Sequence, residues 1–130
     1  MKAENITSSQ GISKDILFNI ESMGGVFNIQ EAASKLDVSI EQVNQDIEEG
    51  RLIAFEEDGE LKIPSFQIKN FKKIDHLETV LENMKNKTFE NKIDFLTRPQ
   101  KSLSDRTPFY ILKKQTSKNE IEKVIELSNK

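Results

Sequence analysis

"EAASKLDVSIEQVNQDIEEG", residues 31–50, holds two short helical patterns broken by a two-residue step. Asn28 stands three places before Glu31, close to a capping box, and Ile29, Ala32, Ala33 and Leu36 form one apolar stripe. Ser39 and Gln42 make a second capping-box pair, with Val38 and Val43 at the two positions of a hydrophobic staple. Ile40, Val43 and Ile47 then face inward, and Gly50 sits where a helix terminates in the left-handed region. Only Asp37-Val38 separates Leu36 from the cap Ser39, so the chain must bend sharply between two rods. Small Ala33 stands where the two helix backbones approach. The spacing is that of a helix-turn-helix.

The next stretch, "RLIAFEEDGELKIPSFQI" (residues 51–68), passes from a helix end straight into a hairpin. Asp58-Gly59 is the best two-residue type I′ turn signal, and it pairs residue 56 with 61 and 54 with 63. Alternation puts Leu52, Ala54, Leu61 and Ile63 on one face and Ile53, Phe55, Glu57, Glu60 and Lys62 on the other. So small a hairpin is unstable alone and must lie against the helices. Pro64 ends it. Such a hairpin is the wing of a winged helix-turn-helix, yet its tip reads Glu56-Glu57-Asp58-Gly59-Glu60, with carboxylates where a DNA-binding wing carries lysines.

Outward from this centre the signals are plainer. Residues 1–12 are polar and aperiodic, and are expected to form a flexible N-terminus. Ser13 caps a helix with Ile16, Ile20 and Met23 on one face and Leu17 beside them, stopped by Gly24-Gly25. Residues 13–68 therefore read as a helix plus a winged helix-turn-helix. Residues 74–87 read as one amphipathic helix with Ile74, Leu77, Val80, Leu81 and Met84 on its apolar side. A shorter helix follows with Phe89, Ile93 and Leu96 inward, closed before Pro99. Thr107-Pro108 is a cap followed by proline at the first helical position. Ser117 to Glu120 is a further capping box, opening a last helix with Ile121, Val124 and Ile125 inward. The expected fold is mainly α with one small β-hairpin, a winged helix-turn-helix plus a C-terminal helical subdomain.

Composition narrows the chemistry. The chain has 130 residues, 35% hydrophobic and 32% charged, so each half alone buries little, and packing between halves or dimerisation is expected. With no cysteine, disulfides, thiolate metal sites and a cysteine nucleophile are excluded. No apolar run spans a bilayer and no signal peptide is visible, so a soluble cytoplasmic protein with no membrane partner is expected. The net charge of −3 is unevenly spread. Residues 1–50 hold three lysines against nine carboxylates, whereas residues 88–130 hold nine basic against six acidic side chains. The acidic part is the part with helix-turn-helix spacing, which counts against simple phosphate neutralisation.

Two patterns resemble known families. "EAASKLDVSIEQVNQDIEEGRLIA" (31–54) resembles the MerR/excisionase-type helix-turn-helix, with Ala33, Leu36, Asp37, Val38, Ser39, Val43, Ile47, Gly50, Leu52 and Ala54 in its register. Asp37 replaces the turn glycine, and Gln45 stands where arginine is common. "FLTRPQKSLSDRTPFYIL" (95–112) is similar to the C-terminal toxin-binding domain of Xre/MbcA/ParS-type antitoxins, through Phe95, Leu96, Pro99, Leu103, Arg106, Thr107, Pro108 and Leu112. There Ser104-Asp105 replaces a Gly-Gly pair. Together with the connecting helix the patterns cover roughly residues 25–130. The resemblance implies a dimeric, non-enzymatic regulator of the antitoxin kind that binds operator DNA through the helix-turn-helix and a protein toxin through residues 74–130.

Candidate roles follow. Ser39, Gln42, Asn44 and Gln45 are placed to read the major groove, because Gln and Asn pair bidentately with adenine. Glu41 and Glu48 on the same outward face repel phosphate. Lys35, Arg51 and Lys62 are the candidates to hold it. The segment "KIPSFQIKNFKK" (62–73) reads as a solvated basic edge over core phenylalanines, one that a helix-turn-helix could borrow for phosphates. Arg106 is either a partner anchor or a bridge within its own loop. Phe109 and Tyr110 point apart on a short helix, one to the core and one to a partner. His76, the single histidine, is expected at the surface, and no metal or other cofactor is expected. No nucleophile elbow, Gly-rich phosphate loop or motif-placed carboxylate pair is present, so no enzyme activity is expected. The alternative function is a protein-interaction adapter that keeps the helix-turn-helix fold without binding DNA.

Overall fold

The computed structural model describes residues 7–130. A small sheet lies between two groups of helices. Its order is β1 (Thr7–Ser8), β3 (Phe55–Glu57), β4 (Glu60–Pro64), β2 (Val26–Phe27). The central β3–β4 hairpin pairs Phe55 with Lys62, Glu56 with Leu61 and Glu57 with Glu60, the register that an Asp58-Gly59 turn dictates. Asp58 and Gly59 take φ of 54° and 79°, as a type I′ turn requires. β2 runs antiparallel to β4, and β1 runs parallel to β3.

The flexible N-terminus expected over residues 1–12 meets a different outcome from Thr7 onward; residues 1–6 lie outside the described residues. Thr7 pairs with Phe55, residues 9–11 form a turn of 3-10 helix, and Ile12 is buried. The unpaired edge of β3 is what this segment covers, so backbone hydrogen bonding gives the polar stretch a place that hydrophobic periodicity could not reveal.

Alternation along 52–55 splits the interior in two. Leu52, Ala54 and Ile63 join Ala32, Ala33, Leu36, Val43 and Ile47, the cluster formed with α2 (Ile29–Leu36) and α3 (Ile40–Glu48). Ile53 and Phe55 point the other way, into the larger cluster. That cluster gathers Ile16 and Ile20 of α1 (Lys14–Ser22) with side chains of α4 (Leu77–Asn83), α5 (Phe89–Thr97), α6 (Pro108–Lys114) and α7 (Lys118–Ser128). Phe55 meets Phe89 with ring centroids 5.4 Å apart. The base of the wing, residues 52–55 with Ile63, is thus a buried layer with a core on each side, while its outer part is half-buried or exposed. Gln67, fully buried, locks its base: the side-chain amide donates to the carbonyls of Ile53 and Pro64, both at 3.0 Å, and the side-chain oxygen accepts from the Ile53 N–H at 2.8 Å.

The helix expected over 74–87 is shorter. Ile74 instead donates its N–H to Gln67 at 3.0 Å, and His76 takes φ of 73°, which delays the helix start to Leu77. Asn83 and Asn86 favour turns over helix interior, and the helix closes after Asn83. His76 itself is exposed. One element has no counterpart in the sequence reading. Residues 68–73 form a second hairpin, β5 (Ile68–Lys69) with β6 (Lys72–Lys73), turning on Asn70-Phe71.

Candidate nucleic-acid interface

The bend on which the helix-turn-helix depends is built from local hydrogen bonds. Asn28 accepts from the Glu31 N–H at 2.7 Å while the Glu31 carboxylate accepts from the Asn28 N–H at 2.9 Å, so the capping box at α2 is complete. α2 ends with Asp37 in the left-handed region, φ 57°, the Val38 N–H reaching back to Ala33 at 3.0 Å and the Asp37 N–H to Ser34 at 3.2 Å. This is a Schellman turn, and Asp tolerates its glycine position because a short polar side chain adopts αL at modest cost. Two residues on, Ser39 caps α3 by accepting from the Gln42 N–H at 3.0 Å. Gly50, φ 81°, ends α3 the same way, with the Arg51 N–H on the Asp46 carbonyl at 2.8 Å.

Three local expectations change. The Ser39–Gln42 capping box is only half made, because the Gln42 amide donates to the Asp46 carboxylate at 3.0 Å instead of returning to the cap. The Ser117–Glu120 box is also half made, since Glu120 accepts from Thr116 at 2.6 Å and pairs with Arg106. Val38 and Ile40, expected in a staple and in the core, are 39% and 40% exposed. The bend lifts the first turn of α3 off the body, and these two side chains go with it.

The outward face of α3 carries Ser39, Glu41, Gln45 and Glu48, all exposed. Gln42 and Asn44 are half-buried, and the Asn44 side-chain oxygen is enclosed with no hydrogen-bond partner among the described residues. Gln45 donates to Glu49 at 3.1 Å, an exposed bond that water exchanges readily. Lys35 lies exposed with its ammonium 5.9 Å from the Phe27 ring centroid, and Lys62 reaches the Glu60 carboxylate at 3.2 Å.

Arg51 is engaged inside the protein. Asp46, only 3% exposed, is the centre of a charge network that sequence reading missed. It accepts from Arg51 at 2.9 and 3.1 Å, from Lys73 at 2.7 Å and from Gln42. Lys73 also pairs with Glu78 at 2.7 Å, and Arg51 with Glu49. Burial pushes the Asp46 carboxyl up, but the bonds from Lys73 and Arg51 outweigh it and hold the group below the usual carboxylate range. Glu49 is lowered by Gln45 and Arg51, and Arg51 is raised chiefly by Asp46. The network ties α3 to β6 and to α4, fixing that helix against the rest of the molecule. Its signal in the sequence was an acid set three after inward Val43, a place that a solvent-facing Asp would not occupy.

The network floors a cleft of about 460 Å3. Leu36, Val38 and Gln42 form one wall; Phe71, Lys72 and Lys73 of the second hairpin form the other. Lys69, Lys72 and Phe71 are exposed, whereas Phe66 is buried and meets Phe109 edge-on at 5.1 Å. The basic edge over core phenylalanines therefore holds for Phe66 and fails for Phe71, which is 75% exposed.

Residues 12–66 match the family model described as DNA-binding protein Rv2175c, wHTH domain. This part of the chain is a winged helix-turn-helix. Among solved structures the chain is similar to one titled "NMR structure of Rv2175c", at 19% identity and TM-score 0.62, over 80% of this chain and 78% of that one. At that identity the likeness shows the fold, which extends past the winged helix-turn-helix into the helical part. No curated protein matches the sequence.

At the far end, Arg106 donates to its own loop at Leu103, 2.9 Å, and pairs with Glu120 of α7. Phe109 turns inward against Phe66, and Tyr110 faces out, 43% exposed. The loop before them crosses itself, Gln100 bridging to Arg106, with Ser104 and Asp105 at φ of 58° and 63°. Among the described residues no helix is long and apolar enough to cross a membrane.

Proposed function

We propose that the chain is a non-enzymatic DNA-binding regulator that lays α3 in the major groove of a specific duplex. The observation that carries this reading is the match of residues 12–66 to a winged helix-turn-helix described as DNA-binding, joined to an α3 whose first turn stands clear of the body. Gln45 and Ser39 are the groove-facing polar groups, Gln42 lies at the edge of that face, and Lys35 in the last turn of α2 is an exposed cation of the unit. Arg51 acts indirectly, through Asp46, by fixing the helix. Asn44 and Lys62 contribute at the margins.

Binding to the DNA immediately upstream of the chain's own reading frame tests the proposal, by fluorescence anisotropy at low and moderate salt with unrelated duplex as competitor. Specific binding that survives competition is expected. Equal weak binding to every duplex, or none, would sink it and favour the adapter reading.

The antitoxin reading rests on a second observation. Ser104 and Asp105 both sit in the left-handed region, the conformation for which the antitoxin-type loop uses glycine. The resemblance of residues 95–112 is thus supported at the position where the residues depart from it. On this reading exposed Tyr110 contacts the toxin, Arg106 holds the loop that presents it, Phe109 anchors the helix from inside, and the regulator works as a homodimer. Co-expression with the product of the adjacent reading frame, followed by purification and a Tyr110→Ala comparison, tests it; a stable complex insensitive to that change would overturn the assignment of Tyr110.

A further inference from the structure

We propose that the β5–β6 hairpin is a second DNA-contacting element, with Phe71 entering the groove that flanks the α3 site and Lys69 and Lys72 on the adjacent phosphates. The inference rests on the DNA-binding reading above and adds to it a contact outside both the reading helix and the wing.

The turn itself is the first argument. Asn70 and Phe71 take φ of 54° and 64°, the type I′ pattern. Asn suits the first position, but the second favours glycine, and a positive φ is costly for a large aromatic side chain. The fold gains nothing visible in return, since Phe71 is 75% exposed at the hairpin tip. Backbone strain and lost burial at one residue point to a gain made outside the chain.

Charge is the second argument. Residues 68–73 hold three lysines and no carboxylate, whereas the tip of the wing, residues 56–60, holds four carboxylates and no cation. Lys69 makes no ion pair among the described residues. Among the described residues Lys72 meets only Asp75, at 3.3 Å across an exposed surface, a pair that solvent screens. Lys73 is spent on Asp46 and Glu78. The carboxylates that these lysines meet are thus Asp75, which is exposed, and Asp46 and Glu78, which are internally paired.

Placement is the third. The hairpin lies beside α2, and across the cleft its Phe71 and Lys72 face Val38 and Gln42, the bend and the first turn of α3. In helix-turn-helix docking the N-terminal end of the second helix meets base edges while the first helix crosses the backbone. An element beside the first helix and facing the start of the second stands over the backbone and the next groove. Apolar side chains presented with cations act there as wedges against sugars and base steps, and each lysine on a phosphate releases counterions.

The test uses the full chain and the upstream duplex, comparing Phe71→Gly, the pair Lys69→Gln with Lys72→Gln, and Gln45→Ala. Phe71→Gly relieves the turn, so its melting temperature is expected to equal or exceed that of the parent while its affinity falls about tenfold or more. The lysine pair should flatten the slope of log affinity against log salt by about 1.8, at about 0.9 for each phosphate contact. A hydroxyl-radical footprint should shorten on one side in Phe71→Gly. Parent-like affinity, slope and footprint in both hairpin variants would overturn the inference and leave the DNA-binding reading standing. A parent that binds no duplex removes both. Loss of self-association in Phe71→Gly, with DNA affinity unchanged, would assign the aromatic to a protein contact and likewise overturn the proposal.

Discussion

The molecule carries two hairpins on the same type I′ turn geometry, and they differ in everything else. In β3–β4 the turn residues are Asp58 and Gly59, the tip is acidic, and the base of the strands is buried between two cores. In β5–β6 they are Asn70 and Phe71, the arms are basic, and the aromatic is left in solvent. The first is a structural layer that happens to occupy the place of a wing. The second is peripheral, cheap to alter, and charged as a wing would be. Position in a winged helix-turn-helix therefore does not by itself decide which hairpin is the better candidate for a phosphate backbone; charge and exposure favour the second.

This contrast can be broken most directly at the two phenylalanines. Phe55→Ala should lose about 3–5 kcal/mol by denaturant unfolding, as for other buried aromatics whose removal leaves a cavity. Phe71→Gly should lose none and gain up to about 1 kcal/mol as the left-handed strain is relieved. Comparable losses at both would erase the distinction between layer and appendage.

Gln67 joins the two hairpins, since it holds Ile53 and Pro64 at the base of the first and its carbonyl pairs with Ile74 beyond the second. Gln67→Leu strands two carbonyls and one N–H in the interior, and an unfolding cost of roughly 3 kcal/mol is expected. A loss under about 1 kcal/mol would mean that water replaces the amide.

Asp46 links the second hairpin to α3. Its folded-state carboxyl is depressed below the unfolded value of 3.8, so its contribution is fully present above that value and is lost as pH falls through the lower folded one. Asp46→Asn should cost about 2 kcal/mol at neutral pH, between an exposed and a buried pair, and the gap to the parent should begin to narrow as pH falls below about 3.8. A gap that stays constant down to pH 2 would exclude this titration as its source.

The smallest effect is at the first turn. Gly59, φ 79°, has open space around the place of a side chain, so Gly59→Ala should cost only the left-handed penalty of about 1 kcal/mol, measured by thermal unfolding. Opposite signs for Gly59→Ala and Phe71→Gly would sharpen the comparison, because both changes act on a turn of the same geometry.

Legibility followed the range of the interaction. The caps Asn28, Ser39, Thr107 and Ser117, the left-handed Asp37 and the pairing of Glu56 with Leu61 are set by partners within a few residues. Local hydrogen-bond chemistry writes these directly into residue order. The second hairpin was missed because two-residue strands carry no alternation to detect and Asn-Phe is a poor turn signal. The shortened α4 was missed because apolar spacing continues through Ile74, whose N–H is claimed by Gln67. Among the candidate DNA contacts, Ser39 and Gln45 lie outward as their helical phase dictates, while the engagement of Arg51 depends on an acid five residues away and a lysine twenty-seven residues from that acid.

By itself the sequence determined two crossing rods, a wing in a fixed register and a run of capped C-terminal helices, since each depends on bonds closed within a turn or a hairpin. Only the tertiary structure decided that the base of the wing is a layer between two cores, that Arg51 serves Asp46, and that the exposed aromatic and its lysines stand beside α3. Those outcomes depend on which distant surfaces exclude water from one another, and burial of that kind leaves no mark on the order of neighbouring residues.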